Sequence, residues 1–320
     1  TTLLLLSTQS YAQQEVELNS VAAVVNDQLI TQQQLDHEVN FYGHQMQDSN
    51  MQIPPDDILE AQVLNQMIVA QLQLQLAKEM KITVTSDQIA AQLTTLAKQQ
   101  NISLDQLFAK AEESGLTKSE LRQQITDQLT IHELVSKEVV PKIAITDQEV
   151  AMYQNNQQSL ANQNTTYDVK NILIALPSSP TSQQVSQAKQ KAQNLIDQIN
   201  NGEITFDQAA ISSSDDQFAL KGGDLGSRKA VELPAVFVDD VIAMQVGDVA
   251  GPIKADNGFH IIMLASKDES DDQGTMSDEQ VRQALFNRKL FESIQTWIDG
   301  LRAQAFVDIV NGAELPSGQM

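Results

Sequence analysis

Apolar residues recur at helical spacing through the first part of the chain, from Val21 to about Pro141. In the stretch ILEAQVLNQMIVAQLQLQLAKEM they form one broad helical face, at Ile58, Leu59, Val63, Met67, Leu72 and Leu76. Several segments also place a Ser or Thr three residues before a Glu or Gln, which is the spacing of a helix capping box. These predicted helix starts are Thr31, Ser103, Thr117, Thr146, Thr205 and Ser277. The first part of the chain is therefore predicted to be mostly helical.

Strand patterns appear before and after this helical region. The stretch SVAAVVNDQLIT predicts a strand that turns at Asn26-Asp27 and leads into a helix. Residues 153–166 are rich in Gln and Asn and have little apolar surface to pack, so a domain boundary is expected near residue 165. From there to about residue 267, strand patterns (YDVKNILIALP, GFHIIML), helical patterns and a GGDLG turn predict a compact α+β unit.

An acidic polar stretch at 267–276 separates this unit from a long amphipathic helix and a possible short strand. One helix cannot bury its apolar face alone, so we expect the C-terminal segment to return to the first domain. We expect Phe306–Val310 to pair beside Val21–Val25. The expected divisions are a leader remnant at 1–12, a helical domain at 13–150, a linker at 151–165, the α+β domain at 166–268, a linker at 269–276, the returning helix and strand at 277–312, and a tail at 313–320.

Composition then narrows the function. A chain of 320 residues is long enough for two domains. Its net charge of -22 argues against nucleic acid and anionic lipid as partners, because both require clustered Lys and Arg. The chain has no cysteine, which excludes disulfides, thiolate zinc sites and cysteine nucleophiles. The histidines show no metal-ligand spacing, and the sequence has no GxSxG, GxGxxG, P-loop or HExxH motif, so neither a metal nor a cofactor is expected. The four histidines are His37, His44, His132 and His260.

The N-terminal stretch TTLLLLSTQSYAQQ contains a short apolar run followed by the small-x-small pattern Ser10-Tyr11-Ala12. This predicts the end of a cleaved secretory signal peptide; the alternative is a disordered apolar tail. No later run approaches the roughly 18 apolar residues of a membrane span. No cysteine follows the apolar run either, so a lipoprotein anchor is not expected. We therefore predict an exported protein without a membrane span.

The stretch DNGFHIIML places His260 inside an apolar run that predicts a buried central strand. From this pattern alone the imidazole could be a catalytic group, a metal ligand or a core residue with satisfied hydrogen bonds. Because the common catalytic and metal-binding motifs are absent, three other stretches of the α+β unit remain as candidates for chemistry. They are SSDDQFALKGGDLG at 213–226, ELPAVF at 232–237 and VGDVAGPIKA at 246–255.

In this order and spacing, these motifs resemble a parvulin-type peptidyl-prolyl isomerase domain over about residues 166–267. The resemblance implies that Leu225, Leu233 and Phe237 line a proline pocket, although pattern alone would make them ordinary core residues. It also implies that the catalytic side chains are Asp216, His260, Asn257 and Asn171. The last is a departure, because Asn171 stands where the family has a histidine. An asparagine cannot titrate, so we expect measurable isomerase activity that this change weakens; the alternative is that the pocket mainly binds its ligand.

The flanking segments extend the resemblance. The leader, the opening VAAVVNDQLIT and the C-terminal NRKLFESIQTWIDGLRAQAFVDIV resemble the SurA-type family of periplasmic chaperones. The best-known architecture has two parvulin domains, whereas this chain has one. The resemblance implies a helical chaperone domain, built from N- and C-terminal segments, with an inserted parvulin-like domain of an antiparallel sheet flanked by helices. It implies a periplasmic, ATP-independent chaperone for unfolded outer-membrane proteins and proline-containing, aromatic-rich peptides, in contact with the outer-membrane assembly machinery. The alternative is chiefly an isomerase that assists folding.

Overall fold

The computed structural model describes residues 20–49, 51–155, 165–177, 179–269 and 275–310. The expected leader remnant at 1–12 and tail at 313–320 lie outside the described residues. Most of the first expected linker and most of the second also lie outside them. The statements below concern the described residues.

The first domain begins with a hairpin and continues with helices. Strands β1 (Val21–Val25) and β2 (Gln28–Thr31) are followed by α1 (Gln32–Asp48), α2 (Asp56–Glu79), α3 (Ser86–Gln99), α4 (Leu104–Glu113), α5 (Lys118–Glu138) and α6 (Asp147–Asn155). The predicted capping boxes are present. At Thr31 the hydroxyl accepts from the Gln34 N–H, while the Gln34 side chain accepts from the Thr31 N–H. The same box also starts helices at Thr85 and Thr181, which the sequence analysis did not include.

The C-terminal segment returns to the first domain. Helix α10 (Asp278–Gln304) leads into β7 (Val307–Ile309), and β7 pairs antiparallel with β1 to give the sheet order β2-β1-β7. This confirms the expected pairing of the chain's two ends. Beneath the sheet, Ala23, Val25 and Ile30 pack on Ile68 and other apolar residues of α2 in one buried cluster.

The inserted domain is an antiparallel sheet flanked by helices on both faces, which confirms the predicted fold class. Its elements are β3 (Thr165–Ala175), α7 (Ser182–Asn200), α8 (Phe206–Ser213), β4 (Asp224–Lys229), α9 (Val238–Ala243), β5 (Val249–Ala255) and β6 (Gly258–Glu269). The sheet order is β4-β3-β6-β5, so β6 is a central strand as its apolar run predicted. The first residue of the domain, Thr165, pairs with the last, Glu269.

Some element boundaries differ from the expected ones. Helix α6 continues to Asn155, so the expected linker start at 151 falls inside a helix. Gly222 and Gly223 form the predicted turn, but the chain then enters a strand at Asp224 that the sequence analysis treated as part of the turn. Strand β5 was not predicted either, because Gly251 and Pro252 interrupt its apolar pattern.

The inserted domain packs against α2 and α10. Its residues Ile211 and Leu220 belong to the buried cluster of the first domain. Two amides of α2 reach its backbone: Gln62 Nε2 donates to the Ser214 carbonyl at 3.3 Å, and Gln66 Nε2 donates to the Gln217 carbonyl at 3.1 Å. From α10, the Phe291 ring stacks on Phe218 with a centroid distance of 5.9 Å. None of the described helices is long and apolar enough to cross a bilayer.

Candidate functional site

The four polar residues singled out in the sequence lie in one hydrogen-bonded row. Asn171 Nδ2 donates to Asp216 Oδ2 at 2.8 Å, and Asn171 Oδ1 lies 2.9 Å from His260 Nδ1. On the other side of the ring, His260 Nε2 lies 3.1 Å from Asn257 Oδ1. The row therefore runs Asp216, Asn171, His260, Asn257, with the imidazole between two asparagines.

Strand register explains why Asn171 and His260 meet. In the β3–β6 ladder Asn171 is opposite Ile262, and His260 is opposite Leu173. Asn171 and His260 are thus diagonal neighbours on the same face of the sheet, within side-chain reach. The alternate residues of β3, Ile172 and Ile174, point to the other face and pack against α7 and α8. A single strand therefore supplies both the core and the site.

The loop before the turn fixes Asp216. Ser214 is fully buried, and its hydroxyl accepts from the Leu173 N–H at 3.1 Å and from the Asp216 N–H at 3.2 Å. The Asp216 carboxylate itself accepts from the Phe218 N–H at 2.9 Å. Burial raises the pKa of Asp216 to about 6, more than these hydrogen bonds lower it. The side chain is therefore a carboxylate at pH 8 and largely a carboxylic acid at pH 5.

The imidazole is neutral over the same range. Burial lowers the pKa of His260 to about 4, because a charged ring would lose its hydration. A neutral imidazole donates from only one nitrogen. Asn171 already donates its amide N–H to Asp216, so its oxygen faces the ring and His260 Nδ1 is the donor. Nε2 is then an acceptor, which the amide nitrogen of Asn257 satisfies when that amide is rotated by half a turn.

The three predicted pocket residues form an apolar wall beside this row. Leu225, Leu233 and Phe237 are buried in one cluster together with Phe218, Ile253 and Phe291. The Phe237 ring centroid lies 5.8 Å from the His260 ring centroid at an interplanar angle of 54°. The structure thus brings all seven predicted residues together. Because Phe291 belongs to α10, the first domain also contributes to the wall.

Most of the row and the wall is buried. Asn171, Asp216 and His260 are buried, as are all three wall residues, while Asn257 is partly exposed. Two cavities lie elsewhere: one of about 440 Å³ near Asp240 and Asp248, and one of about 280 Å³ between α6, α9 and α10. Within the described residues no group of three or more His, Asp or Glu side chains is placed to hold a metal ion.

The sequence analysis missed two residues of the site, Ser214 and Asp215. Both lie in the run SSSDD directly before Asp216, where Ser and Asp favour side chain to backbone hydrogen bonds. That composition suggests a structured turn, but it does not indicate which backbone groups are bonded. The partners, Leu173 and Ala175, belong to a strand about 40 residues earlier.

Two families match successive parts of the chain. Residues 18–135 match the SurA N-terminal domain, and residues 172–266 match the PPIC-type PPIase domain. The chain is 37% identical over 275 residues to a protein described as Chaperone SurA from Legionella pneumophila (strain Paris), covering 86% of this chain and 64% of that protein. It is 33% identical over 270 residues to one of the same description from Chromohalobacter salexigens, covering 84% and 61%. The chain therefore spans less than two thirds of the length of these relatives.

The chain also has similarity, at low TM-scores, to solved structures. A PpiC-type peptidyl-prolyl cis-trans isomerase domain is 27% identical, covers 33% of this chain and 94% of its own, and has a TM-score of 0.30. A SurA-like chaperone of Campylobacter jejuni is 16% identical, covers 92% of this chain and all of its own, and has a TM-score of 0.41.

Proposed function

Because the chain joins a SurA N-terminal domain to a PPIC-type rotamase domain, we propose that it is a periplasmic, ATP-independent chaperone with a peptidyl-prolyl isomerase unit. Its clients are unfolded outer-membrane proteins, recognised through extended segments that carry proline and aromatic residues. It reaches the periplasm through a cleaved signal peptide and delivers clients to the outer-membrane assembly machinery. The observation that carries the proposal is similarity to proteins described as Chaperone SurA over more than four fifths of the chain.

Exposed apolar residues of the first domain and its returning C-terminal segment support a binding role. Leu29 is 55% exposed, Phe306 is 62% exposed and Val310 is 52% exposed. Leu29 lies opposite Val24 in the three-stranded sheet, Val24 lies opposite Asp308, and Phe306 and Val310 flank β7. Leu29 and Val24 therefore lie on the same face of the small sheet as Asp308, and Phe306 and Val310 lie on either side of Asp308 along the chain. A chaperone that uses no nucleotide requires such exposed apolar surface to hold unfolded chains.

Suppression of the aggregation of an unfolded outer-membrane β-barrel protein tests the binding role. We expect the intact chain to suppress aggregation, and Phe306→Ser to weaken this effect several-fold because it removes the largest exposed apolar side chain. The matched control is Val246→Ser, which removes a residue of similar exposure, 60%, from the inserted domain. Equal suppression by the chain lacking residues 166–267 agrees with the proposal. Suppression by the isolated inserted domain alone would overturn it.

The site geometry supports isomerisation. Rotation about an X-Pro bond has a barrier of about 20 kcal/mol that comes from amide resonance, and no bond to the substrate need be broken to lower it. In the proposed mechanism Leu225, Leu233 and Phe237 hold the proline ring. The preceding carbonyl then rotates beside the polar row. Any group that interacts better with the twisted amide than with either planar form lowers the barrier.

The polar row suits this task through orientation more than through proton transfer. His260 is neutral and held by hydrogen bonds on both ring nitrogens, so its polar edge is fixed. Asn171 is hydrogen-bonded to both the Asp216 carboxylate and the His260 ring, so the position of the carboxylate determines that of the ring. Since Asn171, Asp216 and His260 are buried, a substrate reaches them only after a local opening of the site. Both this opening step and the asparagine at position 171 favour slow turnover.

Exchange NMR on an X-Pro peptide, with the wild type beside Asn171→His and Asp216→Ala, tests the isomerase unit. We expect activity above the uncatalysed rate in the wild type, a gain in Asn171→His, and a loss of about tenfold in Asp216→Ala, which removes a hydrogen bond to a charged group. A wild-type rate equal to the uncatalysed rate, and unchanged in Asp216→Ala, would reject isomerisation. Only the binding role would then remain.

The second candidate function is a foldase that acts chiefly by isomerisation. The observation that favours it is the complete wall and row of the inserted domain. A refolding assay with a proline-limited client separates the two. The foldase predicts that Asp216→Ala slows refolding while aggregation is suppressed as before. The chaperone predicts that Phe306→Ser lowers yield while the proline-limited rate is unchanged.

A further inference from the structure

A short segment of the inserted domain, Ser214–Asp216, is hydrogen-bonded to the end of β3. The Asp215 N–H donates to the Leu173 carbonyl at 2.8 Å. In return, the Ala175 N–H donates to the Asp215 carboxylate at 2.9 Å. Strand β4 pairs with β3 only as far as Lys170, so Leu173 and Ala175 have no strand partner on this side. Asp215 thus replaces the missing strand and holds its neighbour, Asp216, within reach of Asn171.

The Asp215 carboxylate also faces charged groups from other elements. Burial raises its pKa to about 6, against the effect of the Ala175 hydrogen bond. Lys191 of α7 and Arg302 of α10 act to lower it, while Asp299 of α10 acts to raise it. The negative charge of Asp215 in turn raises the pKa of the adjacent Asp216.

Arg302 lies on the returning helix α10 and contacts α2. Its half-buried guanidinium donates to the side-chain oxygen of Asn65. Burial lowers the pKa of Arg302 to about 10, which leaves it charged at neutral pH. Arg302 lowers the pKa of Asp215, and Asp215 raises the pKa of Arg302.

We propose that Asp215 is a positioning residue for the isomerase site, because its two hydrogen bonds to β3 clamp the segment that carries Asp216 in place. This inference rests on the proposed isomerase function. Asp215 makes no contact with the substrate in the proposed mechanism, so its loss affects turnover through the orientation of Asp216.

Substitutions at Asp215 in the full chain test the clamp. We expect Asp215→Ala to lower kcat by about tenfold with little change in KM, since the partly buried Ala175 N–H loses its acceptor while the apolar wall is untouched. Asp215→Asn keeps an oxygen that can accept from the Ala175 N–H, so it should restore most of kcat. Equal losses in both variants, or a change confined to KM, would overturn the clamp.

Hydrogen exchange provides a readout that does not depend on catalysis. In the full chain, Asp215→Ala should speed exchange of the Ala175 amide at least tenfold, and Asp215→Asn should not. If the wild type shows no isomerase activity but the Ala175 amide behaves in this way, the proposed enzymatic function fails and the clamp stands. If that amide exchanges equally in all three proteins, the clamp fails whatever the activity.

Arg302→Met tests how the charge of Arg302 affects the ionisation of Asp215 and Asp216. Arg288→Met is the matched control on the same helix. Carbon NMR of the aspartate carboxyls should show the midpoints of Asp215 and Asp216 moving to higher pH in Arg302→Met and unmoved in Arg288→Met. The acidic limb of the isomerase pH profile should move with them, and Arg302→Lys should restore it. Unmoved carboxyl midpoints in Arg302→Met would show that Arg302 does not affect the ionisation of either aspartate.

Discussion

The two sheets of this protein are built in opposite ways. The four-stranded sheet comes from one continuous stretch, β3 to β6, whereas the three-stranded sheet joins the two ends of the described chain. Its closing contact, from the Phe306 N–H to Asn26 Oδ1 at 2.9 Å, spans 280 residues. A continuous sheet can form before the rest of the chain is present. The split sheet needs the entire chain, so its stability reports on the assembled protein.

Both sheets contain residues with an unusual backbone conformation. In the continuous sheet one of them is Gly223, with a φ of +79° and no room for a side chain. In the split sheet it is Asn26, with a φ of 55° and hydrogen bonds to both Phe306 and Gln75. The first restriction is steric and local. The second is a set of polar contacts with distant segments.

The largest expected effect is that of Gly223→Ala on the continuous sheet. An added Cβ would lie 2.3 Å from the Asn171 carbonyl oxygen, so the β3–β4 contact must shift. We expect the inserted domain to lose about 3 kcal/mol or more of unfolding free energy, together with its isomerase activity. Urea unfolding followed by NMR of the inserted domain measures this.

Gly226→Ala is the matched control for that substitution. Gly226 has a similar φ of +74°, but nothing lies within 4 Å of its added Cβ. Only the backbone strain remains, which costs about 1 kcal/mol. Equal losses in the two variants would mean that the close approach at Asn171 does not determine the stability of this sheet.

The next effect is that of Asn26→Ala on the split sheet. It removes two side-chain hydrogen bonds and leaves a residue that resists positive φ, for an expected loss of about 2 to 3 kcal/mol. Asn101→Ala is the control, because Asn101 has the same φ of 55° in the first domain. Fluorescence of Trp297, the only tryptophan, reports unfolding of α10 against α2 and α5. Similar losses in the two variants would show that the closing contact adds no stability.

A smaller effect concerns the buried carboxyl group of Asp216. Its pKa is raised to about 6 on folding, so its contribution to stability is present below pH 4 and is lost as the pH rises through 6. At pH 8 the folded protein must bury a charged carboxylate, and Asp216→Asn removes that cost. The substitution should raise the unfolding free energy by about 1 to 2 kcal/mol at pH 8, with no gain at pH 4. Denaturation at the two pH values measures it.

That experiment also tests whether the domains unfold together. If the contacts of α2 and α10 with the inserted domain couple the two, the gain in Asp216→Asn should appear in the Trp297 transition as well as in the inserted domain. A gain confined to the inserted domain would show that the two sheets are energetically separate despite their contact.

The smallest effect is the pH dependence of isomerisation in the wild type. Activity should fall about tenfold between pH 8 and pH 5, as Asp216 gains a proton and the row loses its acceptor. His260 stays neutral across this range because its pKa is about 4. A profile that is flat to pH 5 would contradict a role for the ionised Asp216. Exchange NMR at several pH values measures the profile.

The sequence was most informative where a pattern is repeated or a side chain has a fixed partner nearby. Helix starts at Thr31 and Ser277 follow from a spacing of three residues, and the pairing of β7 with β1 follows from an apolar face that requires cover. The site residues came from resemblance, because nothing in their spacing alone separates a proline pocket from a core.

What the sequence could not indicate depends on partners far away in the chain. Gln62 and Gln66 look like ordinary surface residues of a helix, yet they hold the inserted domain by its carbonyl groups. Arg302 and Asp215 carry no periodic signal and belong to different domains. Strands β4 and β5 were missed because glycine, proline and charged residues interrupt them, and their pairing with β3 and β6 compensates for weak propensity.

The pairing of Thr165 with Glu269 has a consequence for how the protein is organised. The inserted domain begins and ends on neighbouring strands, so its hundred or so residues span a gap no wider than that between two strands. For the rest of the chain, the folded insert is equivalent to a tight turn, and α6 and α10 are brought together at the entropic cost of a short loop. Domains could be exchanged or duplicated at this point without altering the sheet that joins the chain's ends.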